Sequence, residues 1–115
     1  MSKPRMPQDP VFKHLRVGDI EMFQMCIEGC DVVDFSGCDL RGTDFRQIDL
    51  SHFVLRNAYL RDADLRGCDL RHLDLEGVSI QNAKVSGAYF PCNVAADELR
   101  MSLCHGTRIR TMEPA

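Results

Sequence analysis

Large apolar residues recur every five positions through the middle of the chain. The series is Phe35, Leu40, Phe45, Leu50, Leu55, Leu60, Leu65, Leu70, Leu75, Ile80, Val85 and Phe90, with no slip in register. These are the block centres. Two residues before them stand Val33, Cys38, Thr43, Ile48, Phe53, Ala58, Ala63, Cys68, Leu73, Val78, Ala83 and Ala88, none charged and most small. A helix repeats its buried face at about 3.6 residues and a strand at 2. Period five fits neither. It fits a solenoid in which the chain turns a corner in every block, so that each unit buries its apolar side only against its neighbours.

The stretches Cys38-Asp39-Leu40-Arg41-Gly42 and Ala63-Asp64-Leu65-Arg66-Gly67 resemble the A-(D/N)-L-x-x signature of pentapeptide-repeat proteins. The resemblance covers residues 33–92, about half the chain. It implies that four blocks form one square coil and that the coils stack as a right-handed quadrilateral β-helix. Stacking every fourth block puts Val33, Phe53 and Leu73 in one column and the small Thr43, Ala63 and Ala83 in another. A close-packed interior requires such matching of layers. Twelve blocks then give about three coils, a body of ~14 Å at ~4.8 Å per layer.

A solenoid of stacked coils ends in raw sheet edges, which invite aggregation, so caps are expected at both ends. Upstream, Asp9-Pro10 suits an N-cap and first helical position, followed by Val11, Phe12 and Leu15 at helical spacing. Gly18 interrupts, and Asp19 can cap a second helix carrying Ile20, Phe23 and Ile27 up to Gly29. The segment reads as a helical hairpin, or as one amphipathic helix with a frayed start. Downstream, Asn93 can cap a helix from Val94 to His105, ended by Gly106. That helix has two apolar stripes, Leu99 with Leu103, and Val94 with Met101 and Cys104. One stripe can cover the last coil. The other suits a second copy of the chain, in line with the C-terminal dimerisation that the family resemblance implies. The expected organisation is a single domain, all-β solenoid with helical caps: 1–32 as tail and N-terminal cap, 33–92 as β-helix, 93–115 as C-terminal helix and tail.

Charge narrows the function classes. The 115 residues carry 14 basic and 17 acidic side chains, a formal net charge of -3. A general nucleic-acid binder should be clearly basic, so none is expected as a partner. No apolar run approaches the ~18 residues of a membrane span, and the polar, Pro-rich start has no signal-peptide core. Six cysteines without a C-x-x-C pair read as small buried hydrophobes of a reduced, cytoplasmic protein.

Outward positions form a ladder. Asp34, Asp39, Asp44, Asp49, Asp64, Asp69 and Asp74 precede their centres, and Arg41, Arg46, Arg56, Arg61, Arg66 and Arg71 follow theirs. Arg41 and Arg61 share a column and could receive an acidic partner. Yet residues 34–84 hold seven basic against nine acidic side chains, so mutual neutralisation on a solvated wall is the stronger reading. Val54, Tyr59 and Tyr89 replace the usual Asp, which makes them contact candidates, the adjacent Val54 and Tyr59 above all. His52, His72 and Cys92 share one column, but a flat column offers Zn²⁺ poor tetrahedral geometry and no fourth ligand. No metal or cofactor is expected. No nucleophile constellation, Gly-rich phosphate loop or zinc-protease motif is present. The expected function is therefore a non-catalytic protein-interaction or scaffold module of unknown partner, homodimeric through the C-terminal helix. The alternative, implied by the resemblance, is a modulator of DNA gyrase or topoisomerase acting by DNA mimicry.

Overall fold

The computed structural model describes residues 10–46 and 48–112. Helix α1 (Pro10–Val17) and helix α2 (Ile20–Ile27) precede the repeat, strands β1 (Val33–Asp34) and β2 (Phe53–Val54) lie within it, and helix α3 (Ala96–His105) follows. The strands are short because a corner consumes most of each block. β1 and β2 pair in parallel, Val33 with Phe53 and Asp34 with Val54. Single-residue parallel bridges continue the pattern: Asp39 with Tyr59, Tyr59 with Ser79, Asp44 with Asp64, Asp64 with Lys84, and Asp69 with Tyr89. Every pair joins equivalent positions four blocks apart, so four blocks make one turn of the coil.

Backbone hydrogen bonds explain the register. The amide of a centre donates to the carbonyl of the residue just before the centre of the next layer: Leu40 to Tyr59 at 2.9 Å, Leu60 to Ser79 at 2.8 Å, Leu65 to Lys84 at 2.8 Å. A second bond closes each corner, from the first amide of the following block's small position back to the centre's carbonyl, as Cys38 to Phe35 and Ala63 to Leu60. Two positions past the centre, φ is positive at Gly37, Gly42, Asn57, Asp62, Gly67, Gly77, Asn82 and Gly87. That is the backbone a type II turn demands at its third residue, and glycine, Asn and Asp tolerate it best. The seven ladder Asp side chains complete the corner. Each accepts a hydrogen bond from the amide two positions on, Asp34 from Ser36 and Asp74 from Glu76 among them. The Asp column is thus a turn-forming device as well as a charged wall.

The centres Leu40, Phe45, Leu50, Leu55, Leu60, Leu65, Leu70, Leu75 and Ile80 are buried, as are Val33, Phe53 and Leu73 in the column matched for bulk. At the N-terminal end, Phe12 of α1 stands edge-on to Phe35 at 6.0 Å, and Phe23 of α2 lies 6.4 Å from Phe35 and 5.9 Å from Phe53. Phe23 is fully buried. Two helices are present, separated at Gly18 with φ of +79°, and Asp19 caps α2 through the Met22 amide at 3.2 Å. The Arg16 guanidinium also donates to the Arg41 carbonyl, one of the repeat's first-layer carbonyls. The Asp9 cap of α1 lies outside the described residues.

The C-terminal end departs from expectation. α3 begins at Ala96 with Ala95 at its cap position, not at Val94 under an Asn93 cap. Val94 is buried in the core of its own chain, and burying it outweighs starting the helix sooner. Asp97 and Glu98 then occupy the first turn, where carboxylates suit the helix dipole. Gly106 ends α3 as expected, at φ +72°, its amide donating to the Ser102 carbonyl. Past it, residues 107–112 return to the repeat, and Ile109 is fully buried.

Leu65→Asp should abolish folding, since it puts a carboxylate with no partner at the centre of the stack and forfeits ~1.5–3 kcal/mol of apolar burial in a domain stable by only ~5–15 kcal/mol. Lys84→Ala, exposed on the same wall, should leave the thermal midpoint nearly unchanged. Circular dichroism melts check both, and equal shifts would refute the assignment of inward and outward positions.

Candidate functional site

Each wall of the repeat carries its own electrostatics. On the wall of Phe45, Leu65 and Val85, Arg46 lies 2.8 Å from Asp44 and 3.2 Å from Asp64, and Arg66 lies 2.7 Å from Asp64. The result is a continuous ion ladder running from layer to layer. On the wall of Leu40, Leu60 and Ile80, Arg41 grips Asp39 through Nε at 2.8 Å, while Arg61 stands 3.8 Å from Asp62. Arg41 and Arg61 are therefore each engaged by a carboxylate and do not form a free cationic pocket. Near Val54, Arg56 pairs with Asp74 at 2.8 Å. Val54 itself is exposed.

Tyr59 is occupied within the chain. The Arg108 guanidinium lies over its ring, 4.7 Å from the centroid, and donates to its hydroxyl. Arg108 also donates to the Gly77 carbonyl at 3.0 Å. The exposed contact surface expected of Val54 and Tyr59 together thus shrinks to Val54, because the returning tail covers Tyr59. Tyr89 stays exposed, with the Arg71 guanidinium 5.0 Å from its ring centroid. Among the described residues no three His, Cys, Asp or Glu side chains gather in a metal-holding group. Also among the described residues, no helix is long and apolar enough to cross a membrane.

The least satisfied surface is the C-terminal end. Val85 and Phe90, the last two centres, are half-buried where the earlier centres are buried. Among the described residues, the amides of Val85, Gly87 and Phe90 have no backbone acceptor, whereas those of Gly77 and Asn82 do. Leu99 and Leu103 of α3 pack on the core, as expected of the covering stripe. The outer stripe is altered: Val94 is buried and cannot face a partner, while Met101 and Cys104 remain exposed.

A family model for pentapeptide repeats matches residues 33–52 and 54–90 in eight copies. The chain belongs to the pentapeptide-repeat family. No curated protein and no solved structure matches it in the corresponding comparisons. The family assignment fits a non-catalytic repeat module, with a β-helix solenoid as its architecture.

Within this pentapeptide-repeat scaffold the carboxylates are held ionised. Hydrogen bonds from the Arg66 side chain hold Asp64 at about 2, and those from Arg71 hold Asp69 at about 2. Asp44 is lowered by Arg46 in the same way. Burial pushes Asp39 upward, but the Arg41 side-chain and backbone hydrogen bonds outweigh it and the net shift is downward. Glu98 is lowered by Arg110. Arg108, Ile109 and Arg110 were not among the residues singled out from sequence. Their signal is the polar–apolar alternation of Arg108-Ile109-Arg110 after Gly106, a strand pattern too short to stand out.

These shifts fix the acid response. A carboxyl whose folded pKa lies below its ordinary 3.8 stabilises the fold above that value and loses the contribution as pH falls through the folded pKa. The thermal midpoint should stay level from neutral pH to about 4 and fall between about 4 and about 2. Arg66→Ala should make that decline shallower by releasing Asp64. A midpoint that rises on acidification would contradict the pairing.

Proposed function

We propose that the chain is a non-catalytic protein-interaction module, a three-coil right-handed square β-helix capped by α1 and α2 at one end and by α3 at the other. The observation that carries this reading is the half-open C-terminal edge, where Val85 and Phe90 remain partly exposed, with Met101 of α3 exposed as well. Buried centres elsewhere leave the interior filled by side chains, and the walls are closed by ion pairs, so this edge and the exposed Val54 are the apolar surfaces best suited to a partner. All six cysteines are free, which supports a reduced cytoplasmic setting.

The simplest first partner is a second copy, meeting this one through Met101, Cys104 and the open edge. An isologous contact buries the same patch twice and hides two sheet edges together. Arg41 and Arg61 are secondary contacts for an acidic protein, since both keep more than half of their side-chain surface. DNA mimicry of the gyrase-modulating kind needs an uncompensated acidic surface, and here Asp39, Asp44, Asp64 and Asp69 are each tied to an arginine.

Sedimentation should show a wild-type dimer at tens of micromolar and a folded monomer for Met101→Glu. A wild-type monomer, or a dimeric variant, would place the interface elsewhere. In a gyrase supercoiling assay the protein should neither protect nor inhibit, and a dose-dependent effect would favour DNA mimicry instead.

A further inference from the structure

The last layer is completed on two of its sides by residues that do not follow in register. In the body of the repeat the second amide past a centre donates to the carbonyl just past the centre of the next layer: Gly37 to Arg56, Gly42 to Arg61, Asn57 to Glu76, Asp62 to Gln81. Gly77 has no such partner, because the chain has left for α3. Its amide donates instead to the Ile109 carbonyl at 2.8 Å, and the Ile109 amide donates to the Val78 carbonyl at 2.9 Å. Ile109 thereby makes both bonds that a further block would make. On the neighbouring side Asn82 donates to the Leu103 carbonyl at 3.0 Å, and Ile80 to the Ser102 hydroxyl at 3.0 Å.

Side chains hold the returning segment down. Ile109 is fully buried. Arg108 is held by Tyr59 and the Gly77 carbonyl. Arg110 grips Glu98 of α3 at 2.9 Å, and Thr111 reaches Glu76 through both amide and hydroxyl at 3.1 Å. The Met112 amide donates to the Asn93 carbonyl at 2.7 Å. The segment is thus fixed to the repeat, to α3 and to the connection between them.

We infer that residues 107–112 are a strap that closes the Gly77–Val78 side of the C-terminal sheet edge, next to the side closed by α3, and so confines association with a second copy of the chain to the sides of Val85 and Phe90. The strap pairs the Gly77 amide, and α3 pairs those of Ile80 and Asn82. The sides without either present Val85, Gly87 and Phe90. With the strap displaced, the Gly77 amide and the Val78 carbonyl would be added to the open edge, an edge of the kind that pairs with other edges. The inference stands on the intrachain contacts and does not require the dimer proposed above.

The test is Ile109→Asp in the full chain, with Ile109→Val as the conservative control. Amide hydrogen exchange at Gly77 should accelerate at least roughly tenfold through local opening, with Gly37 unchanged. Sedimentation should show a mass above that of the wild type at the same concentration, whatever state the wild type adopts. A synthetic peptide with the sequence of residues 106–115, added in trans, should restore the wild-type mass, and Ile109→Val should behave as wild type throughout. Unchanged exchange at Gly77, or an unchanged mass, overturns the inference. Equal acceleration at Gly37 also overturns it, since the segment would then be part of the cooperative fold and not a strap on it.

Discussion

Each layer of this molecule can satisfy its backbone only through the layers above and below it. The centre amides find their acceptors one full coil ahead, and an amide buried without one costs ~1–3 kcal/mol. That constraint fixes the block length, because only an unbroken period of five keeps every centre over another centre. It also fixes the corners. A chain that must turn in every block needs positive φ at a set position, supplied by Gly37, Gly42, Gly67, Gly77 and Gly87 and elsewhere by Asn57, Asp62 and Asn82. The preceding Asp then ties the corner amide. The charged wall is a consequence of the turn, and the arginines that neutralise it come second.

The same constraint makes the two ends the places where function can differ from architecture. At the first layer, α1 and α2 supply Phe12 and Phe23 against Phe35 and Phe53. At the last layer, α3 and the segment after it finish only part of the square. Val85 and Phe90 are left half-exposed, and among the described residues their amides have no backbone acceptor. On the proposed reading, this edge suits a partner better than the walls, where each arginine already has its carboxylate.

Much of this was legible in the sequence. Twelve apolar centres with no slip require a repeat, and the columns of matched bulk at every fourth block indicate which residues stack. Gly18 and Asp19, whose roles are local, offered the helical hairpin as one of two readings, the other being a single amphipathic helix with a frayed start. The C-terminal end was less so, for a physical reason. Whether Val94 starts a helix or enters the core depends on competition between a cap and a buried contact, and that contact exists only once the last layer is assembled. Ile109 is harder still: one apolar residue among arginines carries no period, and its burial follows from tertiary pairing with Gly77 and Val78. Tyr59 looked like a surface contact because Arg108, which covers it, is far away along the chain.

The most direct test of the account is to observe the interlayer hydrogen bonds themselves, by NMR couplings transmitted across them in the labelled protein. The account predicts couplings from the Leu60 amide to the Ser79 carbonyl, from Leu65 to Lys84 and from Leu70 to Tyr89, and from Gly77 to Ile109 in place of a residue of α3. Couplings from these centre amides to any other carbonyls, or a Gly77 amide coupled to a residue of α3, would contradict it.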